Sequence, residues 1–216
     1  MNTQSPLTTD THENMPNIMM RLKNDTGTAH KQLEKSACFK RLFADDYRIS
    51  EYVQLLGYFY GYFSAMEPVL FADLPQEYQN DLQYRTKIPL LRQDLTFLST
   101  NADELPWCET LPELASFAQK MGSLYVLEGS LLGGRVIGRH LTSHFGADIV
   151  SALNFYHCYG DNLDKQWRGF SAFMMRNFDN QNDEVINDVI DSANATFTTL
   201  QQWVEHCSGD SSGQRC

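Results

Sequence analysis

The sequence predicts an all-α protein, and two observations support that prediction. Through most of the chain, apolar residues recur at the three- and four-residue steps that mark one face of a helix. No segment alternates apolar and polar residues with the period of two that is typical of a strand. We therefore expect six to eight helices packed against one another.

Length and composition indicate a single domain. The 216 residues are 42% hydrophobic, which is enough for one substantial core, and no shift in composition divides the chain. Residues 1–16 and 208–216 are polar and poor in aliphatic residues, so we expect two disordered tails around a helical domain that spans residues 17–207.

The charge balance excludes several classes of partner. The chain has 17 basic and 27 acidic residues and a formal charge of −10, so nucleic acid and the membrane surface are not expected partners. It has no apolar run of 18 residues, and its N-terminus lacks the features of a signal peptide, which predicts a cytoplasmic protein. The five cysteines are scattered and form no CxxC pair, as expected for reduced thiols and not for a zinc site.

The first half of the domain predicts three helices. The first runs from about Pro16 to Lys35, with Pro16 or Asn17 at its start. Ser50 is suited to cap the second helix, which fades near Pro68 and whose aromatic residues between 58 and 63 are expected to be core. The third spans residues 84–98, and residues 101–112 form a loop with two prolines.

A long glycine-rich helix follows, over residues 114–145. It contains five glycines, which together sacrifice on the order of 4 kcal/mol of helix propensity relative to alanine: Gly122, Gly129, Gly133, Gly134 and Gly138. Glycine lets a helix bend and lets a bulky group approach its backbone. One explanation is therefore a flat ligand against the helix, and the alternative is close packing of helix on helix.

The last part of the chain predicts a turn and two helices. Residues 159–162 have the composition of a turn, and a helix carrying Trp167 and Arg168 follows them. The final helix starts between Asn180 and Asp183 and buries an apolar stripe that extends to Val204.

Candidate ligands lie on the first helix. Lys23 and His30 are seven residues apart, and Glu34 follows His30 by four, so a continuous helix places all three on one side. A lone histidine is commonly structural, but a metal-binding imidazole usually gives its second proton to a carboxylate such as Glu34. His140 and His144 form another pair at helical spacing, although no acidic residue completes an HExxH motif around them.

Four segments together resemble the haem oxygenases, most closely the bacterial branch associated with bacteriophytochromes. They are LKNDTGTAHKQLE (22–34), YRTKIPLLRQDLTFL (84–98), YVLEGSLLGGRVIGRHL (125–141) and YGDNLDKQWRGF (159–170), and they occur in the family's order. The resemblance extends from about residue 17 to residue 205. It implies a single-domain helical bundle that holds haem between a proximal and a distal helix.

The resemblance also implies roles for individual residues. His30 falls on the iron-ligating position and Glu34 on the carboxylate that hydrogen-bonds to that histidine. Lys23 and Arg168 match basic positions that contact the haem propionates. The distal positions over the haem face, which we assign as the catalytic set, match Gly129, Ser130, Gly133 and Gly134.

Two positions depart from the pattern of the wider family. Many members have an aspartate after the first distal glycine, where it anchors a water molecule, and this chain has Ser130. Other branches have a second basic residue one turn after Arg168, where this chain has Ala172. Serine can hold a water molecule but brings no charge, so the distal proton relay and the seating of the haem are left open.

The implied activity is the oxidative cleavage of haem b, which is both substrate and cofactor, to biliverdin, carbon monoxide and ferrous iron. It requires O2 and an electron donor, either a ferredoxin or a flavoprotein reductase, and a bacteriophytochrome is a possible acceptor of the biliverdin. The alternatives are a haem-storage protein and a helical interaction domain without haem. The set of His30, Lys23 and Arg168 argues against the interaction domain, and the open distal helix favours the enzyme over the storage protein.

Overall fold

The structure, a computed structural model, describes residues 17–209, and these contain nine α-helices, three short 3-10 turns and no strand. The helices are α1 (Ile18–Asp25), α2 (Gly27–Glu34), α3 (Ala37–Arg41), α4 (Ile49–Phe71), α5 (Gln76–Leu82), α6 (Ile88–Phe97), α7 (Phe117–Phe145), α8 (Leu163–Phe178) and α9 (Asp183–Gly209). The all-α prediction is confirmed, but the described residues form nine α-helices and not the expected six to eight. Residues 1–16 and 210–216, most of the two predicted tails, lie outside the described residues, whereas α9 continues two residues beyond the expected end of the domain.

The centre of the fold is the contact between α7 and α9. At Gly122 the two backbones touch, because a Cβ there would lie 2.0 Å from the carbonyl oxygen of Val189. Next to this contact, buried Thr196 donates to the Ser123 hydroxyl at 2.8 Å, and the Ser192 hydroxyl lies 3.0 Å from the same Ser123 oxygen. Ser192 also donates to the Gln119 carbonyl at 2.7 Å. These hydrogen bonds and the backbone contact fasten the start of α7 to the first half of α9.

The N-terminal helices lie along the same long helix. The Asn194 side chain of α9 donates to the carbonyl of Asp25 at 3.3 Å, and the Ser36 hydroxyl donates to Oε1 of Glu205 at 3.4 Å. These two contacts advance together along both segments, so α2, which lies between them, runs along α9 in the same direction. Helix α9 is thus the support on which the predicted proximal and distal helices both rest.

The first helix is not continuous, which corrects the prediction of one helix from Pro16 to Lys35. Asn17 caps α1 by accepting the Met20 amide at 2.9 Å, as expected. At Thr26, with φ −100° and ψ −4°, α1 ends and α2 is about to begin, and the Thr26 hydroxyl donates to the Leu22 carbonyl at 2.7 Å. A side-chain bond of this kind competes with the backbone ladder, and the following Gly27 offers little resistance to a bend.

Helices α4 and α6 form the other side of the core, with two shifted boundaries. Helix α4 begins at Ile49 with Arg48 as its cap, not at Ser50, because the Glu51 side chain accepts the Arg48 amide at 2.9 Å. It ends one turn after Pro68. Its aromatic residues between 58 and 63 are buried or half-buried core, as predicted. Helix α6 begins at Ile88 and not at Tyr84, with Pro89 in its first turn, a position that proline favours.

The later elements agree with the sequence. Ser116 caps α7 by accepting the Gln119 amide at 3.1 Å, and the helix ends at Phe145 as predicted. The turn before α8 is a 3-10 turn over Gly160–Asn162, and Asn182 caps α9 by accepting the Val185 amide at 3.0 Å. Between residues 17 and 209 there is no helix long and apolar enough to cross a membrane.

Candidate active site

The predicted iron ligand, His30, is an exposed side chain on α2. Its side chain is 54% exposed, and its Nε2 lies 3.6 Å from Oε1 of Glu34, which is also exposed. That separation allows an ion pair but exceeds a hydrogen bond, so the carboxylate lies beside the imidazole without fixing it. The ring packs against Phe197 of α9 with 5.2 Å between centroids. One face of the imidazole is therefore supported, and more than half of the side chain is accessible to a ligand.

The two predicted propionate-binding cations are both exposed. Lys23 lies on α1 and Arg168 on α8. The interruption at Thr26 falls between Lys23 and His30, so their seven-residue spacing spans two helices. The pairing of these cations with haem propionates stays a prediction.

Helices α2 and α7 meet at the break in the N-terminal helix. The Tyr125 phenol of α7 hydrogen-bonds with the Thr26 side chain, and burial raises the Tyr125 pKa despite that bond. His30 lies four residues beyond Thr26, and Gly129 lies four residues beyond Tyr125. The histidine and the first distal glycine are thus each one helical turn from the contact between Thr26 and Tyr125.

The five glycines of α7 divide into two groups. A Cβ at Gly122 would strike the α9 backbone, one at Gly134 would lie 2.9 Å from Cδ1 of Tyr156, and one at Gly138 would lie 3.3 Å from Nε2 of His157. At these three positions the helix packs closely against its neighbours, which was the alternative explanation. At Gly133 a Cβ would meet no atom within 4 Å, and at Gly129 it would make only an ordinary 3.6 Å contact with Trp167.

The second group is the one that can accept a ligand. Gly133 is exposed and Gly129 is half-buried, so neither needs to be glycine for packing. Gly134 has a packing reason of its own, and its place in the catalytic set stays a prediction. The loss of helix propensity at Gly129 and Gly133 is thus not explained by contacts within the described residues.

Ser130, which stands where many relatives have aspartate, is exposed and bonds locally. Its hydroxyl donates to the carbonyl of Leu127 at 2.7 Å. The proton is therefore committed to the helix backbone, and only the oxygen lone pairs remain to hold a water molecule.

Helix α8 closes the other side of the glycine segment. The Trp167 ring lies near the Cβ position of Gly129 and packs on Tyr125 with 5.8 Å between centroids. Arg168 follows directly, so the helix that contacts the first distal glycine also carries the second predicted cation.

A buried polar cluster behind the glycine segment was not predicted. Lys87 Nζ lies 2.6 Å from Oε1 of Glu128, and these side chains are 0% and 3% exposed. Tyr159 and Glu67 join the cluster, and burial together with the nearby Glu128 carboxylate raises the Tyr159 pKa. The sequence does contain a signal of a buried charge. Glu128 is a charged residue in an otherwise apolar stretch, directly after Val126 and Leu127 and directly before Gly129.

The remaining histidine pair is structural. His140 Nε2 lies 2.9 Å from the Leu42 carbonyl oxygen, and His144 Nε2 lies 2.8 Å from that of Tyr47. Both rings thus tie α7 to the segment between α3 and α4. In the described part of the chain, no three His, Cys, Asp or Glu side chains are grouped so that they could hold a metal ion. Haem iron needs only one protein ligand and does not require such a group.

Comparisons with known proteins give a consistent result. The family model described as "Heme oxygenase" matches residues 16–206. The curated heme oxygenase of Xanthomonas campestris pv. campestris (strain 8004) is 36% identical over 115 residues, which are 53% of this chain and 65% of that relative's length.

Solved structures show the same fold at low sequence identity. The heme oxygenase of Neisseria meningitidis, solved with NO and CO bound, has a TM-score of 0.67 at 18% identity, over 93% of this chain and 96% of its own. Heme oxygenase-1 of the cyanobacterium Synechocystis sp. PCC 6803, solved in complex with heme, has a TM-score of 0.66 at 18% identity, over 90% and 94%. The helical fold predicted from the sequence is thus that of solved heme oxygenases. Because the heme oxygenase family model matches almost every described residue, the chain belongs to the haem oxygenase family.

Proposed function

We propose that the protein cleaves haem b oxidatively to biliverdin, carbon monoxide and ferrous iron. The observation that supports this function is an exposed imidazole, paired with a carboxylate, on a helix that packs on α9, as does the glycine-rich α7 with its two open Cβ positions. His30 and Glu34 supply the first part, and Gly129 and Gly133 supply the second. Membership of the haem oxygenase family supports the same chemistry.

The residues present fit a haem. A flat apolar disc needs one strong nitrogen ligand, an unobstructed opposite face and cations for its two propionates. His30 is accessible, Gly129 and Gly133 present backbone without a side chain, and Lys23 and Arg168 are exposed cations in an otherwise acidic protein. Phe197 provides an apolar contact beside the ligand.

Each residue has a distinct part in the proposed function. Bound haem supplies the iron that activates O2, and the macrocycle itself is the group that is oxidised. One nitrogen of His30 would bind the iron, and Glu34, now 3.6 Å from Nε2, would move closer to accept the proton of the other nitrogen, which would orient the ring and raise its basicity. Lys23 and Arg168 hold the propionates, and Gly129 and Gly133 let the distal backbone approach. The Ser130 oxygen accepts a hydrogen bond from a distal water molecule.

Titration with haemin tests the first step. The purified protein is expected to bind one equivalent and to develop a strong Soret band, and His30→Ala is expected to bind haem more weakly without the spectrum of nitrogen-ligated iron. His206→Ala removes another exposed helical histidine and serves as the matched control. If His30→Ala keeps the parent spectrum, His30 is not the ligand, and His140, His144 and His157 become the candidates.

A second candidate function is haem storage, and one observation favours it. The Ser130 hydroxyl proton is already bonded to Leu127, and serine brings no charge to the distal side. Adding a reductant to the haemin-loaded protein in air separates the two functions. Cleavage removes the Soret band and releases biliverdin and carbon monoxide, whereas a storage protein keeps its haem spectrum.

The finer assignments belong to the same proposal. We place the chain in the bacteriophytochrome-associated branch, on the segments quoted above, with a bacteriophytochrome as acceptor of the biliverdin. A ferredoxin or a flavoprotein reductase supplies the electrons, and the reaction takes place in the cytoplasm. Comparing ferredoxin with flavoprotein reductase as the electron source for turnover tests the choice of donor.

A further inference from the structure

The buried cluster behind the distal helix joins three parts of the fold at one carboxylate. Oε1 of Glu128 accepts from Lys87 Nζ at 2.6 Å and from the Tyr159 hydroxyl at 3.2 Å, and Oε2 accepts from the Gln166 side chain at 3.4 Å. Lys87 directly precedes α6, Tyr159 precedes the 3-10 turn, and Gln166 lies on α8. Glu128 thus anchors α7 to all three.

The anchor lies next to the proposed haem-facing backbone. Glu128 and Gly129 are consecutive on α7, and their partners Gln166 and Trp167 are consecutive on α8. Two neighbouring contacts therefore set how α7 is rotated and how far it stands from α8 at the first distal glycine. A displacement of Glu128 must move the Gly129 backbone, because their Cα atoms are only about 3.8 Å apart.

Among the described residues, no chain of side-chain hydrogen bonds connects the two carboxylates of the cluster, Glu67 and Glu128. Glu67, the other buried carboxylate, accepts from the Lys87 backbone amide at 2.7 Å and from the Tyr84 hydroxyl at 2.7 Å. The Lys87 ammonium instead lies over the Tyr84 ring, 3.5 Å from its centroid. The contacts that connect Glu67 with Glu128 therefore include the Lys87 backbone amide and the face of the Tyr84 ring, and neither of these relays a proton.

Stability alone is a poor reason for such a pair. Burying an ammonium and a carboxylate incurs a desolvation penalty that can exceed their attraction, and apolar replacements of similar volume are often equally stable. What an ion pair with several hydrogen bonds provides is a defined geometry, since each partner is satisfied in only one arrangement.

We propose that Glu128, held by Lys87, is a positioning residue that sets the distal backbone at Gly129 and Ser130 over the haem. This inference rests on the proposed function. Glu128 touches neither substrate nor iron in this assignment, and it acts through the placement of the helix that follows it.

The test compares the haem environment with protein stability in four variants. These are Glu128→Gln, Lys87→Met, the double variant Lys87→Met/Glu128→Met, and Glu67→Gln as the matched control, because Glu67 is equally buried and makes its hydrogen bonds to Tyr84, Thr86 and the Lys87 amide. Each is loaded with haem, reduced and exposed to carbon monoxide. The carbon monoxide stretching band reports the distal surroundings, and urea unfolding of the haem-free protein reports stability.

We expect the band to be displaced or split in both single variants and to match the parent in Glu67→Gln. In the double variant we expect stability to recover while the band stays displaced. The positioning role would be overturned if the band returned to the parent position when stability recovers, or if the band never moved.

If the single variants do not fold, Tyr159→Phe provides a milder change, because it removes one hydroxyl from Glu128. It is expected to shift the band more weakly, and an unchanged band in this variant overturns the proposal. A parent protein that binds no haem would instead refute the proposed function.

Discussion

A buried and an exposed position of α7, Gly122 and Gly133, have glycine for opposite reasons. At Gly122 the α9 backbone is so close that no side chain fits, and the carbonyl oxygen of Val189 occupies the place of a Cβ. At Gly133 no atom lies within 4 Å of that place. The first glycine joins two helices, and the second leaves a surface uncovered.

The comparison shows that glycine content alone does not identify a ligand site. From sequence spacing, all five glycines have the same two explanations, a bound flat ligand or close helix packing. Packing accounts for Gly122, Gly134 and Gly138, and it does not account for Gly129 and Gly133. The neighbours across the gap decide between them: α9 and the segment around Tyr156 on one side, and open space on the other. Substitutions that add one methyl group at each position separate the two roles.

The largest expected effect is that of Gly122→Ala. Its Cβ would lie 2.0 Å from a carbonyl oxygen and 3.0 Å from the attached carbon, and a backbone cannot rotate away as a side chain can. Helices α7 and α9 would have to separate, and we expect a loss of about 3 kcal/mol of unfolding free energy or more. Urea unfolding of the haem-free protein measures it, and parent-like stability would contradict direct backbone contact between these helices.

A smaller loss is expected for Gly134→Ala. The added methyl would lie 2.9 Å from Cδ1 of Tyr156, so the ring must move within a buried cluster. Overpacking of this kind costs about 1–3 kcal/mol, and the gain of helix propensity offsets about 0.8–1 kcal/mol of it. We therefore expect a net loss of about 1 kcal/mol in the same unfolding measurement. Because this variant disturbs packing, reduced haem turnover in it would not report on the distal face.

Much of the fold could be predicted from the sequence, since it depends on local signals. The apolar stripes of α4, α7 and α9 lie on the helices that they define, and the cap at Asn17 directly precedes its helix. The break at Thr26 was missed because a threonine in a helical pattern is ordinary, and only its side-chain bond to Leu22 shows the competition. The short helices α3 and α5 span too few turns to display a period.

In the candidate site, too, contacts between residues close in sequence could be predicted and contacts between distant residues could not. His30 and Glu34 are four residues apart on one helix, so their proximity follows from sequence. The Lys87–Glu128 pair joins positions that are 41 residues apart, and no local pattern connects them. Whether the Cβ position of a glycine is packed or open also depends on residues far away in the sequence. Val189 fills that position at Gly122, and Tyr156 does so at Gly134.

At Gly133 the sign of the stability effect should reverse. Gly133→Ala adds a methyl group in open space within a helix, so we expect a gain of about 0.8–1 kcal/mol in the haem-free protein. Gly169→Ala, at another helical glycine with no atom within 4 Å, is the matched control for this gain. A loss of stability in Gly133→Ala would show that the position is packed after all.

The same position gives the sharpest contrast between folding and function. Gly133→Leu is expected to leave the haem-free protein at least as stable as the parent and to reduce haem turnover severely, because its side chain would fill the space that the haem needs. Unfolding and biliverdin formation are measured on the same preparation. Turnover at the parent rate would mean that Gly133 faces solvent and not the haem.

The smallest effect is expected at Arg168, beside the tryptophan that packs on Gly129. An exposed ion pair is worth about 0.5 kcal/mol, so Arg168→Ala should weaken haem binding only about twofold. A difference of that size still changes which of two haem seatings predominates, and we expect the variant to shift or mix the biliverdin isomers. Ala172→Arg in that background places a cation one turn further along α8 and should partly restore the parent pattern. Chromatography of the products provides the measurement. One isomer, identical in the parent and both variants, would assign the seating to the apolar contacts of Phe155, Tyr156 and Phe197 and remove Arg168 from the propionate site.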